Sequence, residues 1–145
     1  MRVYVVDASV AAKWLLPAAG EGFVTQANQL LSLHVGRELQ LLAPDLIWAE
    51  LGNILWKAVR RDRISRSHAE DCLEQFRDLD LEIIPAEDLM VPALQIATAY
   101  DRSFYDSLYV ALALQANAEF LTADERLANA LAARFPVRWL GTFRQ

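Results

Sequence analysis

Four carboxylates stand where a solvated charge is not expected: Asp7, Glu50, Asp106 and Asp124. Asp7 follows directly on the apolar run Arg2 to Val6, and Asp124 lies just past the run Ala118 to Ala123, in FLTADERL. Glu50 borders the apolar stripe of DLIWAELGNILWKAVRRDR, three residues before Asn53. Asp106 heads SFYDSLYVALALQANA, a stretch that is apolar nearly all the way round and so reads as a buried helix. An ionised carboxylate moved into low dielectric without a partner is strongly disfavoured. Asp106, on the face of Tyr109, Val110 and Ala113, therefore needs a helix N-terminus, a hydrogen-bond donor or a cation. Each acid alone has a plainer explanation. Asp7 or Ser9 can cap a helix, as can Asp124. Ser103 with Asp106, and Thr122 with Glu125, have capping-box spacing. Glu50 can pair with Lys57. Caps do not explain Glu50, which sits in mid-helix against aliphatic neighbours. If the four acids converge they repel, and either a proton is held with a raised pKa or a hard divalent cation settles the charge. Ligands that are all oxygen select Mg²⁺ or Mn²⁺. Zinc is disfavoured, because His34 and His68 lack a spaced partner and read as surface or helix-face residues.

The elements that must position these acids alternate between strand and helix. Strands are expected at Arg2 to Val6, Leu39 to Ala43, LEIIPA, Ala118 to Ala123 and VRWLG. Between them lie helical patterns. SVAAKWLL is ended by Pro17, and EGFVTQANQLLSLHVGREL has apolar residues at Phe23, Ala27, Leu30, Leu31 and Leu33. The Glu50 segment has them at 47, 51, 54, 55 and 58, with Pro44 where that helix would begin. HAEDCLEQFRDL opens at Ser65 or Ser67, EDLMVPALQIATAY has Pro92 in its first turns, and the helix of Asp106 and DERLANALAARF follow. This order predicts an α/β fold: a parallel, doubly wound sheet of about five strands with helices on both faces. Such sheets bind ligands beyond the carboxyl ends of their strands, where the strand order reverses. If the first and fourth strands are neighbours, Asp7 and Asp124 meet at that edge.

Length and composition set further bounds. The 145 residues suit one domain spanning 1–145, and 54% apolar content supports a full core. A net charge of -5 argues against coating nucleic acid by bulk charge but leaves room for a local basic patch. The single Cys72 excludes an intramolecular disulfide framework and reads as a buried thiol. No apolar run approaches the roughly 20 residues of a membrane span. The N-terminus, interrupted by Asp7 and Lys13, is a poor signal peptide, so a cytoplasmic location is expected.

VVDAS, PDLIWAELGNIL, SFYDSLYVALA and FLTADERL, in this order, resemble the PIN-domain family, in particular the VapC-type toxins of bacterial toxin–antitoxin pairs, over about Val3 to Trp139. The resemblance implies an Mg²⁺- or Mn²⁺-dependent endoribonuclease. Asp7, Glu50, Asp106 and Asp124 match the catalytic and metal-holding acids, Ser9 and Thr122 match hydroxyls beside them, and Asn53 matches a frequent polar position near the second acid. Metal on Asp7, Asp106 and Asp124 would activate a water for in-line attack on a backbone phosphate, with Glu50 holding a second metal or orienting the water. The resemblance also implies a homodimer. It further implies an antitoxin partner that binds near the active site and inserts a basic side chain among the acids.

RNA must approach an acidic pocket, and KAVRRDRISR offers Lys57, Arg60, Arg61, Arg63 and Arg66 for phosphate contacts. The plainer account is a solvated helix end favoured by the helix dipole. Of Trp14, Trp48, Trp56 and Trp139, most are expected in the core, with Trp48 and Trp14 as candidates for an interface anchor. Two other functions fit less well. A PIN-like module that binds RNA or a protein without cutting would have little reason to keep buried charge. A receiver-like phosphoacceptor needs a Lys after the last strand, and Trp139 to Gln145 holds none. No Gly-rich phosphate loop is present either.

Overall fold

The computed structural model describes residues 1–16 and 22–144. Pro17 and Glu21, the expected end of one helix and start of the next, lie outside them. The elements in chain order are β1 (Arg2–Val6), α1 (Ala8–Leu15), α2 (Val24–Val35), β2 (Leu39–Pro44), α3 (Leu46–Arg60), α4 (Arg66–Asp78) and β3 (Glu82–Ile84). After a short 3₁₀ turn come α5 (Met90–Tyr100), α6 (Phe104–Gln115), β4 (Glu119–Thr122), α7 (Glu125–Leu131) and β5 (Val137–Trp139). All neighbouring strands pair in parallel, in the order β3-β2-β1-β4-β5. The chain winds outward from β1 to β3, then returns to place β4 on the other side of β1. The order therefore reverses between β1 and β4, the kind of crevice where open α/β sheets take ligands.

Alternation along the strands sends side chains to two cores. Tyr4, Val6, Leu41, Ala43 and Leu121 face the helices α1 to α4, while Val5, Leu42, Phe120 and Val137 face α5 to α7. The sheet is thus covered on both sides, as the β-branched and apolar strands require. The helix α6 is the most buried: every residue from Ser107 to Ala113 is inside. The serine hydroxyl in that run, on Ser107, donates back to the Ser103 carbonyl at 2.8 Å, so it costs no unpaired polar group.

Several local expectations are corrected. Pro44 closes β2 rather than opening α3, because Asp45 holds the turn: its N–H donates to the Ile84 carbonyl and its carboxylate accepts from the Ala86 N–H, both at 2.9 Å. His34, half-buried on a face of α2, is more than a surface residue. Its Nδ1 accepts from the Leu41 N–H and its Nε2 donates to the Leu79 carbonyl, each at 3.3 Å, tying α2 to β2 and to the end of α4. Three of the four tryptophans pack against the core, as expected, and Trp56 does not. Trp14, Trp48 and Trp139 are half-buried, and Trp48 packs edge-on against Phe76 between α3 and α4 instead of marking an open interface. Cys72 is buried. Among the described residues no helix is long and apolar enough to cross a membrane.

Candidate active site

Register brings the first pieces together. Val6 is level with Leu121, so Asp7, one residue on, is level with Thr122 at the end of β4. The Thr122 hydroxyl donates to Asp7 Oδ2 at 2.6 Å. Asp7 Oδ1 accepts from the Ser9 hydroxyl at 2.5 Å and from the N–H groups of Ser9 and Val10 at 3.1 and 3.3 Å. Asp7 is therefore the N-cap of α1, as its plainer explanation held, and is at the same time a buried carboxylate. Ser9 and Thr122 are held in turn: Ser9 Oγ accepts from the Ala123 N–H at 3.0 Å, and Thr122 Oγ1 from the Asp124 N–H at 3.1 Å. Each hydroxyl accepts a hydrogen bond from a backbone N–H of the β4–α7 turn and donates one to Asp7, which stitches the two strand ends together.

Glu50 comes from α3, on one face of the sheet, and Tyr109 from α6, on the other. They meet past the strand ends, where the Tyr109 hydroxyl donates to Glu50 Oε1 at 2.5 Å. The Tyr109 ring is stacked on Phe120 of β4, with centroids 5.3 Å apart, which fixes the direction of its hydroxyl. Asp106 lies one helical turn before Tyr109 on the same face of α6. Its backbone N–H is capped by Ser103 Oγ at 3.0 Å, and the side chain is only half-buried. The carboxylate that loses its water is thus Asp7 rather than Asp106, because α6 starts at the rim of the crevice and Asp7 at its floor.

Asp7, Glu50, Asp106 and Asp124 line one cavity of about 280 Å³, together with Ser9, Asn53 and Tyr109, and no Lys, Arg or His is among its lining residues. Burial pushes the Asp7 carboxyl up to about 6, against the pull of its Ser9, Thr122 and Val10 hydrogen bonds and with a further push from Glu50. Glu50 is also raised, first by burial and then by the Asp106 charge, while the Tyr109 hydrogen bond opposes both. The Tyr109 hydroxyl is raised by burial and by Glu50, so it stays a donor. Asp124 has a structural task of its own. Its carboxylate caps α7 by accepting from the Leu127 N–H at 3.1 Å, which makes Asp124, not Thr122, the cap of that helix.

Among the described residues no three acid, His or Cys side chains close into a ready-made ion site. The acids instead face one another across a cavity wider than a single coordination sphere. Such a donor set, all oxygen and rich in charge, fits a hard cation that keeps several of its own waters.

The expected cations are divided. Lys57, Arg61 and Arg63 line a second cavity of about 400 Å³ whose walls include Ser9, Ile54 and Asp124, which also line the acidic one. Arg60 stands one step further along α3, with its guanidinium over the ring of Trp56. Arg66 is turned elsewhere, into an exposed ion pair with Glu70 on α4. Two residues of this region were not picked out as site residues from the sequence. Tyr109 had a signal, because a tyrosine in a buried helix needs a partner for its hydroxyl. Lys13 lines the basic cavity, four residues after Ser9 on α1; its spacing alone marks the shared helix face.

Comparison with known proteins places the chain in a family. The PIN domain family model matches residues 4–131. The chain is 30% identical over 135 residues to ribonuclease VapC3 of Pyrobaculum aerophilum, covering 89% of this chain and 95% of that protein. It is 32% identical over 133 residues to ribonuclease VapC9 of Mycobacterium tuberculosis, covering 92% and 94%. Its fold is similar to the crystal structure of VapBC2 from Rickettsia felis bound to a DNA fragment from their promoter, with a TM-score of 0.69 at 14% identity, over 94% of this chain and 98% of that one.

Proposed function

Because the chain belongs to the PIN-domain family, among its VapC-type ribonuclease toxins, we propose that it cuts RNA in the cavity lined by Asp7, Glu50, Asp106 and Asp124. The observation that carries this reading is the buried Asp7 carboxylate, sharing that cavity with Glu50 and Asp106 and with no basic side chain in its wall. Negative charge so placed calls for a cation, and the oxygen-only donors favour Mg²⁺ or Mn²⁺.

Asp7, Glu50 and Asp106 would hold the ion, and Asp124 would face it from the rim. When bound, the ion lowers the pKa of a water and offsets charge on the phosphate and the leaving oxygen. The chain's own residues do the rest. Ser9 and Thr122 keep both Asp7 oxygens fixed at the crevice floor. Tyr109 holds one Glu50 oxygen, and the carboxylate, which lines the cavity, can orient the attacking water. Asn53, exposed on α3 at the cavity wall, offers an amide to the sugar or phosphate. Lys57, Arg61 and Arg63 supply positive charge in the adjoining cavity for the neighbouring phosphate.

The same reading assigns a cognate antitoxin that inhibits by inserting a basic side chain among the acids, meeting the electrostatic need that a cation otherwise meets. It also assigns a homodimer and a cytoplasmic location. Support for a homodimer comes from α5, whose Met90, Val91 and Leu94 are exposed. The test is cleavage of RNA by the purified protein. Cutting is expected with Mn²⁺ or Mg²⁺ and none with EDTA; equal cutting in EDTA would refute the assignment.

A further inference from the structure

Resting on that reading of the acidic cavity, we propose that Trp56 and Arg60 form a stacking platform for an unpaired base of the RNA, further along α3 from the bond that is cut.

The residues Glu50, Ile54, Lys57 and Arg61 recur every three or four positions, and so follow one face of α3. The cavities along that face share walls. The acidic one and the basic one have Ser9, Ile54 and Asp124 in common. The basic one shares Lys57 and Arg61 with a third, of about 160 Å³, that Arg60 completes. A continuous track therefore runs from negative to positive charge along the helix. From Glu50 to Arg60 it covers about 15 Å at the usual helical rise of about 1.5 Å per residue.

At the far end of this track the Arg60 guanidinium lies 4.9 Å from the centroid of the Trp56 ring. Trp56 is 52% exposed, whereas the other three tryptophans are half-buried against the fold. It adds nothing to the core that α3 makes through Ile47, Leu51, Leu55 and Ala58. Lys57, Arg60 and Arg61 pair with no carboxylate among the described residues. Grooves for single-stranded nucleic acid join these two features: cations that follow the backbone and aromatic rings on which bases stack. The guanidinium plane adds a second surface to the pile. A paired stem keeps its bases stacked inside and cannot lay one on the indole, so the platform selects RNA that is unpaired on this flank. Charge decides the occupant. A run of cations that begins beside a phosphate-cutting cavity complements a polyanion.

The test is fluorescence anisotropy with EDTA present to stop cleavage. The probes are a short unstructured RNA oligonucleotide, the same oligonucleotide with each base removed in turn, and the same sequence closed into a hairpin stem. The wild type should bind the intact strand about tenfold tighter than the strand lacking the stacked base, since one stacked base is worth about 1–3 kcal/mol. Trp56→Ala should erase that difference with an unchanged salt slope, and Trp56→Tyr should restore most of it. Lys57→Gln should instead lower the salt slope by about one phosphate contact. Equal affinity of Trp56→Ala and wild type for the intact strand overturns the platform. So does a Trp56→Ala protein that keeps its RNA affinity but loses its antitoxin, which would give the surface to a protein partner. Absence of cutting by the wild type in Mn²⁺ would strike the reading of the acidic cavity, while the binding series still decides the platform.

Discussion

In the first half of α3, Glu50 is half-buried, receives a 2.5 Å hydrogen bond from Tyr109 and carries a raised pKa. In the second half, Lys57, Arg60 and Arg61 stand in solvent, and among the described residues none of them is paired with an acid. One helix thus holds its negative end rigidly and leaves its positive end free. The difference suits the work proposed for each end. Chemistry at a phosphorus atom needs fixed oxygens, because small misplacements of reacting groups are costly in rate. Attraction of a flexible polyanion needs only charge of the right sign within reach, which mobile side chains supply well. The fold spends its hydrogen-bond donors accordingly, on Asp7 and Glu50.

The comparison predicts that the acidic end fails abruptly and the basic end by degrees. The largest effect is expected from Asp106→Asn, which should lower the RNA cleavage rate by at least about 100-fold, since charge stabilisation by a bound ion is worth several kcal/mol. The folded state should persist by circular dichroism; near-normal cleavage would remove Asp106 from the site. Next, charge reversal of Arg60 and Arg61 together should weaken RNA binding by about 10- to 100-fold at low salt and flatten its salt dependence. Affinities titrated from low to high salt would show this, and a parallel, unshifted line would break the contrast between the two ends.

A smaller effect concerns pH. An unfolded Asp titrates near 3.9, and folding moves Asp7 to about 6. Between those values the folded chain binds more protons than the unfolded one. Without a divalent ion, stability should therefore fall as pH rises from about 4 to about 6, by on the order of 3 kcal/mol. A bound cation requires the ionised form, so the gain in Tm from Mn²⁺ should be large above pH of about 6 and fade below it. Melting curves in EDTA and in Mn²⁺ across that range check both signs, and Asp7→Asn should flatten the EDTA series. The smallest effect is expected from Tyr109→Phe. It keeps the stacking on Phe120 and loses one hydrogen bond, for a cost of about 1 kcal/mol in stability and a fall in cleavage of less than about tenfold, measured side by side with Asp106→Asn.

Much of this arrangement could be read from the chain itself. The alternation of apolar runs gave every strand and helix, because a sheet buried on both faces demands it. The sites of Asp7 after β1 and Asp124 after β4 followed from those runs. What did not follow was the depth of each acid. Asp106 looks the more buried in sequence, since its helix is apolar all round, yet α6 begins at the rim and Asp7 ends at the floor. Depth depends on where strands end in space, which periodicity does not encode. The partner of Glu50 was hidden for a similar reason: Tyr109 lies 59 positions away and on the opposite face of the sheet. The exposure of Trp56 likewise emerges only once α4 is seen to cover Trp48, its neighbour by two turns on α3.

Asp7 both begins α1 and belongs to the acid cluster. Anyone wishing to produce the protein in a harmless form therefore faces a choice of position. Asp7→Ala would disarm it and loosen its first helix together, so any loss of toxicity in living cells could stem from degradation instead of lost chemistry. Asp106 caps nothing with its side chain, and altering it leaves the scaffold a fair stand-in for the armed protein.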